Sequence, residues 1–149
     1  MAHGSMSGVD QLLSEGVIQR VPADATAAAR ELQAARTHLD SAEALRDPDP
    51  VMAFTAAYEG SRKAISALMR AEGFRIRSGP GAHVRIGRYG ETALAGSSAA
   101  SEVANFDLLR RVRNQAQYDA QPVEPEDIAD AITHGLAIIA AVEERLSVR

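Results

Sequence analysis

The residues best suited to chemistry in this sequence lie in one short run, from Arg113 to Tyr118. On a helical wheel, Arg113 falls between Leu109 and Phe106, inside the arc of apolar side chains that a helix buries. A guanidinium in such a place must extend to solvent, pair with a carboxylate, or face a groove shared with a ligand or a partner. The last of these arrangements would make it part of an anion-binding site.

Tyr118 closes the same run, where a group that transfers protons would be useful. A phenol titrates near 10 and an imidazole near 6.5, so Tyr118 is a poor base at neutral pH. It can still act as an acid, hydrogen-bond a phosphate or stack on a base. On a regular helix it lies about 140° from Arg113, so the two share a site only if the helix loosens or a second chain supplies one of them.

A structural alternative stays open for both residues. Arg113 would then form an ion pair with an acid of the last helix, such as Asp130 or Glu126. Tyr118 would then pack at a helix end with its hydroxyl in water.

A second candidate site is the segment from residue 73 to residue 90, which has five glycines, one proline and no acidic residue. We expect a loop or a loose hairpin there, although the run from Val84 to Ile86 alternates like a brief strand. Its cations and aromatic rings suit a phosphate-rich ligand, but the Lys-Ser/Thr ending of a P-loop is missing. His83 can supply the imidazole that Tyr118 cannot. The alternative for the whole segment is a mobile, solvated loop that binds nothing. The residues predicted to bind nucleic acid are Arg75, Arg77, His83, Arg85, Arg88 and Arg110.

Helices are the elements expected to position these residues. Apolar or small residues recur at spacings of three and four from about residue 24 to 46, from 50 to 73 and from 125 to 146, which indicates helices with one buried face. Asp49 can cap the second of these helices, and Gly73 provides its stop.

Two further helices are expected, a short one over residues 9–19 and one over about residues 99–118 that carries the Arg113 run. The chain is therefore predicted to be all-α. We expect an antiparallel bundle of four to five helices with a long Gly/Arg-rich loop between the middle helices.

Length and composition limit the possible classes of protein. The 149 residues suit one domain, which we place at residues 6–149 because residues 1–5 read like a cloning remnant. The absence of cysteine excludes disulfides and thiolate metal sites, and His38 and His134 lack further ligands at metal-binding spacing. No metal and no cofactor are predicted. Without a long apolar run or a signal peptide, the chain is expected to be cytoplasmic, with no membrane partner.

Charge is unevenly distributed along the chain. The segment from Arg62 to Arg113 contains ten cations and four acids, a net charge of +6. Because the whole chain has a net charge of −4, the residues outside this segment have a net charge of −10. This polarity suits an anionic ligand or self-association through opposite faces. An uneven but solvated surface is the alternative.

The run from Leu108 to Asp119 resembles the signature of the HEPN superfamily, in which an arginine near the end of a late helix, usually followed by a polar residue such as Asn, precedes a histidine by four to six residues. Arg113 and Asn114 match this pattern, whereas Tyr118 stands where the histidine is expected. Four main helices and a long Gly-rich, His-containing middle connection, as in small bacterial HEPN proteins, extend the resemblance to most of the chain.

The resemblance implies a helical bundle that dimerises, with the motif arginines of both chains facing one groove. Many family members are metal-independent ribonucleases, some of them toxins of toxin–antitoxin pairs, and others are inactive binding or scaffold modules. In this chain the resemblance implies that Arg113 contacts an RNA phosphate and that Asn114 orients the groove. The candidate catalytic residues are therefore Arg113, Asn114 and Tyr118.

The leading hypothesis is a homodimer that binds RNA or a nucleotide. Metal-independent endoribonuclease activity of the toxin–antitoxin or stress-response type is the further option, which Tyr118 in place of the motif histidine weakens. The alternative is a catalytically inactive module that docks a partner protein, such as a cognate antitoxin. A third hypothesis is a dimeric sensor that closes its loop on a nucleotide.

Overall fold

The computed structural model describes residues 7–147, where it contains seven helices and two short strands. These elements are α1 (Gly8–Ser14), β1 (Ile18–Arg20), α2 (Ala25–Leu45), α3 (Pro50–Glu72), β2 (Phe74–Ile76), α4 (Ala82–Ala93), α5 (Ala100–Ala104), α6 (Phe106–Tyr118) and α7 (Pro125–Ser147). The prediction of a mostly helical chain is confirmed. The residues 1–5 interpreted as a cloning remnant lie outside the described residues.

The ends of α2 and α3 are set by local side-chain chemistry. The Asp24 carboxylate accepts a hydrogen bond from the Ala27 N–H at 2.9 Å, and Asp49 accepts one from the Met52 N–H at 3.3 Å. Both caps satisfy a backbone donor that the helix itself leaves free. At the other end of α3, Gly73 adopts the left-handed conformation with φ 84°, which confirms the predicted stop.

The core is built where α2, α3 and α7 approach closely. A Cβ at Gly60 of α3 would lie 2.7 Å from Leu39 Cδ2 of α2, and one at Gly135 of α7 would lie 2.8 Å from the same atom. Both glycines therefore make room for Leu39, which is buried. Burying a leucine side chain stabilises a fold by roughly 1.5–3 kcal/mol, so the packing of Leu39 at this junction helps to hold the three helices together.

The segment 73–90 is not the long loop that was predicted. Its first part forms β2, which pairs antiparallel with β1, and its second part is helix α4, so Val84 to Ile86 is helical and not a strand. Glycine disfavours helices by about 1 kcal/mol in isolation. Here Gly87 and Gly90 let α4 lie directly against Phe106 and Ile65, and tertiary packing outweighs intrinsic propensity.

Two other predicted helices differ in extent. The leading helix ends at Ser14, because Gly16 turns the chain with φ 75° into β1. The helix predicted over 99–118 is divided into α5 and α6 at Asn105, whose side-chain amide donates to the Ser101 carbonyl at 3.1 Å. Such side-chain bonds to the backbone compete with helix continuation.

Between residues 7 and 147, no helix is long and apolar enough to cross a membrane.

Candidate functional site

Arg113 lies on the face of α6 that packs against α3, as the helical wheel predicts. Its guanidinium carbon is 4.8 Å from the centre of the Tyr58 ring, and that ring stacks on Phe106 at a centroid distance of 5.0 Å. Tyr58 is fully buried, with 0% of its surface exposed. A cation over the face of a desolvated aromatic ring is stabilised by about 1–2 kcal/mol, which helps to hold Arg113 in its partly apolar surroundings.

No acid neutralises Arg113 within the part of the chain that the structure describes. Its Nε is buried without a hydrogen-bond partner, and neither Glu126 nor Asp130 forms an ion pair with it. Leaving a buried donor unpaired costs about 1–3 kcal/mol, so Arg113 carries a polar group that no described residue satisfies.

A pocket of about 360 Å³ opens beside Arg113, between α6 and the segment that leads into α4. It brings together four of the residues singled out from the sequence, two from the signature and two from the group predicted to bind nucleic acid. The pocket is lined by Gly79, Gly81, Ala82, His83, Val84, Arg110, Arg113 and Asn114.

His83 is the second residue of α4 and reaches across to α3, where its Nδ1 lies 2.9 Å from the Tyr58 hydroxyl oxygen. Partial burial, followed by the nearby Arg62 and Arg113 guanidiniums, holds the pKa of His83 below its ordinary value of 6.5. The imidazole is therefore mainly neutral at pH 7. Burial raises the pKa of Tyr58 to about 12, so its hydroxyl keeps its proton.

The other charged groups near the pocket are already paired. Arg110 Nε donates to Asp107 Oδ1 at 2.8 Å, and Arg111 binds the other oxygen of this carboxylate at 2.7 Å. The hydrogen bonds from Arg110 and then Arg111 lower the pKa of Asp107. On α3, Arg62 pairs with Glu59 at 2.6 Å. Arg113 differs from these arginines because it faces the pocket without a counter-ion.

Tyr118 lies apart from this pocket. It is 77% exposed at the end of α6 and does not line the pocket. Its neighbour Gln117 donates to Thr55 Oγ1 of α3 at 3.1 Å, so this turn of α6 is fixed with Tyr118 directed outward. The large angle between Arg113 and Tyr118 on the helix is the physical reason for their separation.

The remaining candidate arginines lie outside the pocket, and one of them shapes it. Arg85 donates to the carbonyls of Arg77 at 2.5 Å and Pro80 at 3.0 Å, which closes the loop that forms the pocket rim. Arg75 is on β2 and bonds Gln19, and Arg88 forms an ion pair with Glu15 at 3.0 Å. Arg77 is exposed in the loop.

Tyr58 is the residue of the candidate site that the sequence analysis did not single out. The helical period correctly indicates that it is buried, but periodicity says nothing about its hydroxyl. The available signal was chemical, because a buried tyrosine hydroxyl needs a hydrogen-bond partner, and an imidazole is a suitable one.

Metal binding has no visible basis in the described residues. Among them, no group of three His, Cys, Asp or Glu side chains is arranged to hold an ion. His134 has a buried Nδ1 without a partner, and His38 is partly buried on α2. Neither lies in the pocket.

Comparisons with protein-family models, with curated proteins and with solved structures found no significant match to this chain.

Proposed function

We propose that the pocket between α6 and the start of α4 binds a phosphate group of RNA or of a nucleotide. The observation that carries this proposal is Arg113, a partly buried guanidinium with an unpaired Nε and no carboxylate partner. A fixed cation in a partly dry site interacts with an anion more strongly than a solvated one does, because water screens it less. The planar donors of arginine also match the geometry of phosphate oxygens.

The other lining residues complete an anion site. Arg110 adds positive charge, and Asn114 and His83 add neutral donors on two sides of the pocket. Gly79 has open space around its Cα and a φ of 107°, so a ligand can approach the backbone of this loop closely.

A nucleic acid fits the surrounding charge better than a single nucleotide does. Arg75, Arg77 and Arg88 are exposed outside the pocket, and a longer chain offers such cations further phosphates that a single nucleotide lacks. Tyr118, exposed at the end of α6, offers a ring on which an unpaired base can stack. These features favour single-stranded RNA, which presents phosphates and unstacked bases together.

The assembly we propose is a cytoplasmic HEPN-like homodimer, in which α2, α3, α6 and α7 form the helical bundle. The signature residues Arg113 and Asn114 support this assignment, since both line the pocket. Ribonuclease activity without a metal would need a group that takes the proton of the 2′-hydroxyl. His83 is the imidazole of the pocket, so its protonation decides whether binding can lead to cleavage.

The test is the affinity of purified protein for a short fluorescent RNA at low salt, compared between Arg113→Ala and Arg111→Ala. Arg111 is the matched control, because it is on the same helix, carries the same charge and points outward with 65% of its side chain exposed. We expect Arg113→Ala to weaken binding by about tenfold or more, since a charge-assisted contact is lost. The slope of log affinity against log salt should fall by about 0.7, the value for one phosphate contact on a single strand.

Equal losses in the two variants would show that binding is diffuse and that the pocket has no special part in it. No affinity of the unsubstituted protein for RNA would reject the proposal. It would then favour the alternative of a module that docks a partner protein, for which exposed Tyr118 and Leu108 on α6 are the supporting observation.

A further inference from the structure

The Tyr58 hydroxyl has one hydrogen-bond partner among the described residues. Tyr58 is wholly buried, and the partner of its hydroxyl among the described residues is His83 Nδ1 at 2.9 Å. If the hydroxyl donates, its proton is satisfied and Nδ1 acts as the acceptor. If instead Nδ1–H donated to the hydroxyl oxygen, the hydroxyl proton would be left in the core without an acceptor, which native structures avoid.

The charges around His83 act in the same direction. Arg110 and Arg113 of α6 and Arg62 of α3 face the imidazole, against one carboxylate, Glu59, which already pairs with Arg62. These cations disfavour a second proton on the ring, and a doubly protonated ring would have to donate Nδ1–H to Tyr58. A neutral imidazole with Nδ1 free to accept is therefore the form that fits its surroundings.

We infer that Tyr58 is a positioning residue that fixes His83 as a hydrogen-bond donor to the pocket. With Nδ1 occupied by the Tyr58 hydroxyl, the single imidazole proton lies on Nε2, the nitrogen left for a ligand. The same tyrosine ring supports the Arg113 guanidinium from below. One buried side chain thus sets the orientation of two groups of the site.

This arrangement deepens the proposed function and, for its ligand, rests on it. A pocket with Arg110, Arg113, the Asn114 amide and an Nε2–H donor offers protons to phosphate oxygens but no basic nitrogen. His83 in this tautomer is unable to remove the proton of a 2′-hydroxyl. The site is therefore a receptor for a phosphodiester that it holds without cleaving.

The decisive measurement is the tautomer of His83 by nitrogen–proton correlation NMR on the full chain labelled with ¹⁵N-histidine. The chain has four histidines, and His83→Gln assigns the relevant resonances by their loss. In the unsubstituted protein we expect Nδ1 in the unprotonated range and Nε2 in the protonated range. An Nδ1-protonated ring would overturn the inference.

The substitution Tyr58→Phe removes only the hydroxyl and keeps the ring beneath Arg113. We expect the pKa of His83 to rise in this variant, because the hydrogen bond that stabilised the neutral ring is lost, and we expect the two tautomers to mix. A lower pKa of His83 would mean that Nδ1–H had been the donor, and would overturn the inference. The matched control is Tyr89→Phe, which removes the hydroxyl of another buried tyrosine, near Glu72 at 3.4 Å, and should leave His83 unchanged.

RNA affinity separates this inference from the proposed function. Tyr58→Phe should bind the fluorescent RNA about fivefold more weakly than Tyr89→Phe at pH 7.5, the loss expected for one displaced donor. Its affinity should rise more than that of the unsubstituted protein as pH falls toward 6, because its His83 has the higher pKa and gains charge first. Equal RNA affinity of the two variants would show that the Tyr58 hydroxyl does not contribute to binding. If the unsubstituted protein did not bind RNA but His83 had the expected tautomer, the proposal that the pocket binds RNA would be wrong. The positioning of His83 by Tyr58 would still be supported.

Discussion

The Arg113 guanidinium is held by the aromatic ring of Tyr58 and not by a carboxylate. The tyrosine ring holds the cation at 4.8 Å, whereas no carboxylate among the described residues offsets its charge. A structural ion pair would have satisfied the guanidinium within the chain and left nothing for a ligand. The unpaired Nε instead represents a cost of about 1–3 kcal/mol that no described residue offsets.

His83 should make folding stability depend on pH near neutrality. Its pKa in the folded chain lies below 6.5, so the unfolded chain binds a proton first as pH falls. Protonation then favours the unfolded state, and stability is expected to fall as pH drops below about 6.5, down to the pKa of the folded state. Urea unfolding between pH 7.5 and 5.5 should show this decrease.

The variant His83→Gln should lose that part of the pH dependence and keep the rest. The carboxylates with lowered pKa values, Glu15, Glu59 and Asp107, have ordinary values of 4.5 or below, so their effect begins at lower pH. A slope between pH 7.5 and 5.5 that is the same in both proteins would contradict the expectation.

At the scale of the elements, α4 is the part of the fold that the sequence predicted least well. The long helices α2, α3 and α7 follow directly from their apolar period and their caps, because both signals are local. In α4, Gly87 and Gly90 reduce local helix propensity, and the reason for them lies in distant partners, Phe106 and Ile65. Such a contact is visible only after the helices are assembled.

Gly87 offers a direct test of this packing. Propensity alone predicts that Gly87→Ala stabilises α4 by about 1 kcal/mol, whereas the added Cβ would lie 2.9 Å from Phe106 Cδ2. Because Phe106 is buried and stacks on Tyr58, it has little room to move. We expect a net loss of about 1–3 kcal/mol in the free energy of unfolding, measured with urea.

The control for that substitution is Gly96→Ala, where a Cβ meets nothing within 4 Å. Its stability should stay within about 0.5 kcal/mol of the unsubstituted protein. If Gly87→Ala were instead more stable, α4 would be free to shift away from α6, and the pocket between them would not be fixed by this contact.

At the scale of the whole molecule, the candidate site joins segments that are distant in sequence. Arg113 and Asn114 were identified from their helical position and from the HEPN-like signature, and both line the pocket. His83 was proposed as a source of imidazole, but its placement beside Arg113 depends on α4 being a helix, which the glycines concealed. Tyr58 was hidden for a different reason, because one helical period describes both an inert core tyrosine and one that bonds a functional histidine.

The proposed homodimer gives the last prediction, which concerns α6. Leu108 is 55% exposed on this helix, on a face turned away from the pocket, and a partner chain that packed on this outer face of α6 would cover such a side chain. Leu108→Glu should therefore shift the protein from dimer to monomer in light scattering, since a charge buried in an interface without a partner is strongly unfavourable. Leu136→Glu is the matched control, because Leu136 is 56% exposed on α7 and should leave the dimer intact. A monomeric unsubstituted protein, or equal dissociation by both substitutions, would contradict an interface through α6, and RNA binding would then have to be explained by the pocket of one chain alone.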